Sequence, residues 1–283
     1  MEPLIRPMQV DDIEYALAQK AREGWDIAES AFAIHLEHDP NGCFIAEVDG
    51  RAVAMITSTR YRDSAFIGNL IVEPEHRRQG IGQMLMACAM QALRDRGINT
   101  FHLEADPPGV NLYRTLGFVD VFESLRFECE APSRGQTAGE REVRVLCRED
   151  APRVGEYDRA HFGDDRAPLL ASLLEQSPAA FWISEGDRTA GYLITQELLN
   201  GLRIGPWVAD GEDAAASLLD EVLTRTEASR YALGIPGVNE IGVKLLQSRG
   251  FTATPPCLHM VRGDRSYCGM PRNIFAITGG DRG

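Results

Sequence analysis

The residues best suited to chemistry form one short loop, Arg77-Arg78-Gln79-Gly80-Ile81-Gly82, between an apolar strand and the best-patterned helix of the sequence. At such a junction, free backbone N–H groups and the positive end of the helix dipole converge. Gly80 and Gly82 lack a Cβ atom, so an anion can approach the backbone closely, and two arginines add positive charge. The loop therefore predicts a pyrophosphate site. The alternative is a glycine-containing turn with two solvated arginines.

A second motif, Leu112-Tyr113-x-x-x-Gly117-Phe118, follows further along the chain. Together with the loop, it resembles the signature of the GNAT family of acyl-CoA-dependent N-acyltransferases. The resemblance implies that the loop holds the pyrophosphate of acetyl-CoA, a co-substrate, and that the preceding strand pairs with the pantetheine. It also implies that Tyr113 protonates the departing CoA thiolate as a general acid, whereas packing on a short helix is the alternative role. The donor-binding residues expected in this way are Leu70, Ile71, Val72, Arg77, Arg78, Gln79, Gly80, Ile81, Gly82 and Asn111.

The attacking amine needs a base, because an amine with a pKa of about 10.4 is mostly protonated at neutral pH. In the predicted strand Phe101 to Ala105, His102 and Glu104 share one face. Glu104, near the strand end, is the first choice for this base, acting directly or through water. A solvated sheet face is the alternative, and Glu73, just before Pro74, is a weaker candidate.

The acceptor is expected to enter between the first two helices, at residues 23–29, where the family fold admits substrate. Trp25 and Asp26 are the predicted substrate-binding residues, and the acids of this segment could hold a cationic amine. The alternative is that Trp25 anchors a loop in the core. A nearby sequence, His35-Leu36-Glu37-His38-Asp39, has the crowding of a metal site, but the turn sequence after it favours a helix end. No metal is predicted.

A mixed α/β fold, with an α+β type of sheet, must position these residues. Its order is strand, helices, hairpin, strand, helix, strand, short helix and strand. Predicted strands lie at 4–6, 43–48, 52–59, 66–72, 100–105 and 119–128, and predicted helices at 11–37, 81–96 and 107–116.

The same order recurs after residues 131–140, a stretch rich in Gly, Pro, Ser and Thr that is predicted to be a linker. Ile67-Gly68 matches Ile204-Gly205, and Gly117-Phe118 matches Gly250-Phe251. We therefore expect two tandem GNAT-like domains. Residues 1–130 form the acetyl-CoA-binding catalytic copy and residues 141–283 form the second copy.

The second copy departs from the family pattern where the chemistry should be. Aligned by eye, residues 210–219 replace the loop with a segment that contains three acids, which would repel CoA. Leu246 stands where the first copy has Tyr113. The second copy is therefore predicted to be degenerate, in the manner of a tandem-GNAT subfamily whose N-terminal copy is the active one.

Composition limits the remaining possibilities. The chain has 283 residues, 44% of them hydrophobic, and a formal charge of −13, which disfavours a nucleic-acid partner. Neither a membrane-spanning segment nor a signal peptide is recognisable, so the expected location is the cytoplasm, with no membrane partner. Six scattered cysteines are typical of reduced thiols.

The predicted function is transfer of an acetyl group from acetyl-CoA to a primary amine of a small molecule, by direct attack. The alternative is an acyl-CoA-binding regulatory module without turnover. The intact Tyr113 favours the enzyme. The sequence names neither the acceptor nor the oligomeric state.

Overall fold

The computed structural model describes residues 3–25, 28–133, 142–186, 188–263 and 269–283. Asp26 and most of the predicted linker, residues 134–140, lie outside the described residues.

The first half of the chain has the predicted order of elements. Its strands are β1 Leu4–Pro7, β2 Phe44–Val48, β3 Arg51–Arg60, β4 Ala65–Val72, β5 Phe101–Ala105 and β6 Val119–Cys129. Its helices are α1 Ile13–Arg22, α2 Glu29–His38, α3 Ile81–Arg94 and α4 Val110–Thr115.

The second half repeats this order, so the predicted repeat and fold class are confirmed. Its strands are β7 Val143–Val145, β8 Ala180–Glu185, β9 Arg188–Leu198, β10 Gly201–Ala209, β11 Tyr231–Pro236, β12 Thr252–Arg262 and β13 Ile274–Ala276. Its helices are α5 Ala151–Phe162, α6 Ala167–Gln176, α7 Glu212–Arg225 and α8 Glu240–Ser248.

The two halves share one sheet because they exchange their last long strands. The order is β1-β2-β3-β4-β5-β12-β6-β11-β10-β9-β8-β7, with β13 beside β10. Strand β12 of the second half lies between β5 and β6, with Leu258 opposite Ala105 and Cys257 opposite Ser124. Strand β6 of the first half in turn pairs with β11, with Phe127 opposite Leu233. The joint between the halves therefore includes the backbone hydrogen bonds of a continuous sheet.

Alternation along the central strands separates an apolar face from a polar one. In β5, the residues Phe101, Leu103 and Ala105 belong to the core under α3, whereas His102 and Glu104 lie on the opposite face. The core under α3 also contains Met260 of the second half, which is 0% exposed. The polar side chains at the centre of the sheet therefore face away from α3, on the side where the two halves meet.

Candidate active site

The parallel strands β4 and β5 pair over only a short stretch. Ala65 lies opposite Phe101 and Phe66 opposite His102, and then the strands diverge. A bulge in β4 contributes to the divergence, because its register against β3 shifts between Gly68 and Ile71, and Asn69 has φ +51°. A cleft of about 870 Å³ runs along the diverging edge. The predicted pantetheine-binding residues, Leu70, Ile71 and Val72, line this cleft.

The predicted phosphate loop closes one end of the cleft. Gly80 has φ +84°, a conformation that favours glycine, and a Cβ atom added there would meet nothing within 4 Å. A Cβ atom at Gly82 would make only ordinary contacts of 3.7–3.8 Å, so protein packing alone does not require this glycine. No described residue accepts a hydrogen bond from the amide groups of residues 78–83. These donors lie at the positive end of α3, which is an arrangement that suits an anion.

The side chains of the loop divide into those at the cleft and those outside its lining. Arg77 lines the cleft, donates through Nε to the carbonyl of Val72 at 2.8 Å, and pairs with Glu23. Arg78 also lines the cleft and has no ion pair within the described part of the chain. Gly80, Ile81 and Gly82 complete this lining. Gln79, which bonds the carbonyl of Glu75, and the exposed Asn111 are not among the lining residues.

Tyr113 of α4 lines the cleft beside the phosphate loop. Its ring packs edge-on against Phe118, with 6.0 Å between centroids. Burial raises the pKa of the Tyr113 phenol above its usual value, and the nearby charge of Asp106 raises it further. The phenol therefore keeps its proton at neutral pH, as a proton donor must.

Glu104 is held by a residue of the other half of the chain. Its Oε1 lies 2.8 Å from Nδ1 of His259, which strand β12 places opposite it, and its side chain is 1% exposed. The solvated-face interpretation is therefore wrong for Glu104. Oε2 is buried and has no hydrogen-bond partner among the described residues, and Glu104 lines the cleft. This carboxylate thus has one oxygen fixed and one able to accept a proton.

Four buried polar side chains join β4 to the segment 277–283. Lys20 Nζ donates to Asn69 Oδ1 at 2.7 Å, and Asn69 Nδ2 donates to Asp281 Oδ2 at 3.1 Å. His35 Nε2 lies 3.0 Å from the same Asp281 oxygen. Gly68 permits this approach, because a Cβ atom there would lie 2.5 Å from the Cα of Asp281. The segment therefore fits against β4 only with a glycine at that position.

The burial of this cluster changes its proton affinities. Burial lowers the pKa of Lys20 and lowers that of His35 to about 4. Burial alone would raise the pKa of Asp281, but the nearby charges of Arg282, Lys20 and His35 hold it well below its usual range. Asp281 is therefore a fixed negative charge among several cations.

Residues 35–39, whose types resemble those of a metal site, lie at the end of α2. The predicted helix end is therefore confirmed. Their side chains have separate partners. His35 contacts Asp281, His38 contacts Ser172 at 3.0 Å, and Asp39 pairs with Arg96. Within the described ranges, no group of three or more metal-ligating side chains comes together.

Trp25 reaches the cleft and also packs in the core. It lines the cleft, its ring centroid lies 5.7 Å from Lys20 Nζ, and it is half-buried against the apolar cluster that contains Phe32. The position of Trp25 is therefore compatible both with acceptor binding and with anchoring a loop in the core. Asp26, its predicted partner in acceptor binding, lies outside the described residues. Glu23, another acid of this segment, is occupied by Arg77.

The second half contains a counterpart of this divergence that is arranged differently. Strands β10 and β11 pair only at Leu202 with Tyr231 and Arg203 with Ala232. Beyond that point β13 pairs with β10, with Ala276 opposite Trp207. Residues 210–211 alone connect β10 to α7, so the alignment by eye is wrong in placing residues 214–219 over the phosphate loop, since they lie inside α7. Leu246, the counterpart of Tyr113, is fully buried.

Sequence reasoning missed several residues that shape the cleft. His259, Arg203 and Asp281 come from the second half, and their approach to β4 and β5 depends on the strand exchange. The alternation of Leu202, Arg203 and Ile204 is a local signal for one strand face that carries an arginine, but it does not reveal what that face meets.

Comparison with known proteins identifies two domains of one kind. The Acetyltransferase (GNAT) family matches residues 10–118, and the Acetyltransferase (GNAT) domain matches residues 154–276. The uncharacterized N-acetyltransferase YitH of Bacillus subtilis is 26% identical over 185 residues, which is 65% of this chain. The chain spans 63% of the length of that relative, and 31% and 33% of two further curated relatives.

Solved structures of similar chains cover both halves. A presumed acetyltransferase from Pyrococcus horikoshii aligns with a TM-score of 0.84 and 26% identity, over 99% of this chain and 96% of its own. A tandem GNAT protein from the clavulanic acid biosynthesis pathway aligns with a TM-score of 0.63 over 94% of this chain and 100% of its own. At 16% identity, the second likeness shows the fold alone. No helix within the described ranges is long and apolar enough to cross a membrane.

Proposed function

The chain belongs to the GNAT acetyltransferase family, and we propose that it transfers an acetyl group from acetyl-CoA to a primary amine of a small molecule. One observation carries this proposal: the diverging edge of β4 leads into a loop in which the amide groups of residues 78–83 have no acceptor among the described residues. A cleft of about 870 Å³ also falls in the size range of small-ligand sites.

The residues present fit the donor. The amide groups of residues 78–83 and the side chain of Arg78 would hold the pyrophosphate, with space left by Gly80 and Gly82. Leu70, Ile71 and Val72 would offer backbone groups to the pantetheine, because the strand partner of β4 on this side has diverged. Asn111 and Gln79 belong to the predicted donor set by family resemblance only.

Acetyl-CoA supplies an acetyl thioester, and the reaction forms a C–N bond as the C–S bond breaks. Glu104 Oε2 accepts the proton that the attacking amine loses, directly or through water, while His259 fixes the other carboxylate oxygen. Tyr113 donates its phenolic proton to the CoA sulfur, for which burial keeps it protonated. These steps need no metal and no covalent enzyme intermediate.

We assign donor binding to the first half, residues 1–130, and a structural role to the second, residues 141–283. Two observations support this division. Strand β13 lies along β10 where the first half has its cleft, and acids begin α7. The second half then contributes β12, with His259, and part of the cleft wall.

The release of free thiol from acetyl-CoA tests this function, measured with the full-length protein across a panel of primary amines and followed by mass spectrometry of the products. We expect acetylated amine in amounts equal to the thiol released. Binding of acetyl-CoA without turnover of any amine would instead indicate a regulatory module.

A further inference from the structure

The cleft wall opposite β4 carries an arginine that has no partner among the described residues. On β10, Leu202 and Ile204 lie in the core beneath α7, so Arg203 between them points to the other face and lines the cleft. The Arg203 guanidinium makes neither a hydrogen bond nor an ion pair with any described residue. A half-buried guanidinium in such a position is a strong candidate for binding an anion.

Neighbouring cations of the same wall are already neutralised, with one exception. Arg126 pairs with Asp106 at 2.8 Å, and Arg230 pairs with Glu128 at 3.1 Å. Arg282 is different: its side chain is 2% exposed, and its Nη1 has no hydrogen-bond partner among the described residues.

Arg282 also shares the one carboxylate with which it pairs among the described residues. Asp281 lies 3.4 Å from Arg282 Nε, 3.4 Å from Lys20 Nζ and 3.0 Å from His35 Nε2. Burial and the charges of Arg282 and Arg126 lower the pKa of Arg203, although Asp281 opposes this, so these groups act on one another electrostatically. At this point of the wall two guanidinium groups, those of Arg203 and Arg282, therefore lie near one carboxylate, that of Asp281, which also contacts Lys20.

This wall approaches β4 at the middle of the strand. Asn69 contacts Asp281, whereas the phosphate loop follows Val72. Three residue steps of strand, about 10 Å, separate Asn69 from Val72. A Cβ atom at Gly280, next to Asp281, would lie 3.8 Å from the Cβ of Glu104, the proposed base. This part of the wall therefore lies beside the proposed base rather than at the loop that would hold the pyrophosphate.

We propose that Arg203 and Arg282 bind a carboxylate of the acceptor, which is then an amino acid or a similar small molecule with both an amine and a carboxylate. The planar fork of a guanidinium matches the two oxygens of a carboxylate. This assignment rests on the proposed function, and it adds a carboxylate to the cationic amine expected for the acids at residues 23–29.

The experiment compares two acceptor pools, the common amino acids and their carboxamides, with the full-length protein and acetyl-CoA. The wild type should acetylate a preferred acid with a kcat/KM at least about tenfold above that of its amide. Arg203→Gln should lower kcat/KM for that acid by about 10- to 100-fold, mainly through KM, and leave the amide unchanged. Arg203→Lys should retain part of the activity, and Arg225→Gln, an exposed arginine of α7, should behave as the wild type.

Equal use of acids and amides by the wild type, or equal losses for both in Arg203→Gln, would overturn the carboxylate site while leaving the acetyltransferase proposal standing. If no amine is acetylated, the proposed function fails and binding still tests the site. N-acetylglycine should then bind the wild type in the presence of CoA about tenfold more tightly than N-acetylglycinamide, and Arg203→Gln should abolish the difference. Equal binding of the two probes to the wild type contradicts the site.

Discussion

Two pairs of parallel strands diverge in this sheet, β4 from β5 and β10 from β11, and the chain treats them differently. Beside β10, strand β13 takes the diverging edge, with Ala276 opposite Trp207. Beside β4 no described strand does so, and that edge lines the cleft. The same supersecondary unit thus leaves an open edge along a cleft in one half and forms a closed sheet in the other.

The helix that follows each strand shows the same contrast. Residues 73–80 connect β4 to α3 and bring Arg77, Arg78 and Gly80 to the helix start, whereas residues 210–211 connect β10 to α7, which begins with Glu212 and Asp213. The carboxylates of Glu212 and Asp213 interact favourably with the positive end of the α7 dipole, so the chain itself supplies the negative charge at that helix start. Anion binding therefore requires a loop that leaves amide groups without internal partners, and a shared fold does not supply this alone.

Removal of the second half should have the largest effect on stability and activity. A chain that ends after Ser133 loses β12, so β5 and β6 each lose a partner, and the core under α3 loses Met260. We expect aggregation or unfolding and loss of all measurable acetyl transfer, because the new edges and apolar surface are exposed. Size-exclusion chromatography and circular dichroism measure this. A stable monomer as active as the full chain would mean that the second half has another role.

Substitution of Tyr113 tests the chemistry of the first half. Tyr113→Phe should lower kcat by a factor on the order of 10² to 10⁴, because it removes a proton donor while retaining the ring against Phe118. Calorimetry should show little change in acetyl-CoA affinity. An unchanged kcat, with chemistry shown to be rate-limiting, would make Tyr113 a packing residue.

A matched pair of substitutions compares the start of α3 with the start of α7. Gly82→Trp should weaken acetyl-CoA binding at least about 100-fold, because the indole fills space at the phosphate loop. Asp213→Trp, at the second position of α7, is the control and should leave affinity unchanged. Thermal unfolding of both variants checks the fold. Equal weakening in both would contradict a donor site in the first half alone.

Acid should lower the free energy of unfolding through His35, which contacts Asp281 of the other half. His35 has a folded-state pKa of about 4, against about 6.5 when unfolded. Between these values the unfolded chain binds the extra proton, so the free energy of unfolding falls as pH drops, by about 2 kcal/mol from pH 7 to pH 5. His35→Gln should lose less over this interval, as measured by denaturant unfolding. If the free energy of unfolding depends on pH identically in His35→Gln and the wild type, His35 does not cause the loss of stability in acid.

Much of the fold could be predicted because local patterns carry it. The apolar face of α3 and the Asp49-Gly50 turn, with φ of +53° and +74°, are local features that the sequence states directly. Which strands pair with one another is not a local property of the sequence. Strand β12 carries the same alternation whether it pairs within its own half or between β5 and β6, so the exchange could not be predicted from pattern.

The candidate site likewise contains some residues that a local motif predicts and others that it does not. The phosphate loop and Tyr113 lie close together in sequence and carry a motif, whereas His259 and Arg203 approach the cleft only through the exchanged sheet. Asp281 has no motif either, and its approach to Gly68 depends on a segment that follows β13. Residues from distant parts of the chain thus define the proposed acceptor end, which the sequence alone leaves undetermined.

Calorimetric titration of the full-length protein with acetyl-CoA measures how many donor sites the chain has and in which half they lie. We expect a stoichiometry near one per chain, with binding abolished in Gly82→Trp and retained in Asp213→Trp. A stoichiometry near two, or one site that survives Gly82→Trp and disappears in Asp213→Trp, would contradict it.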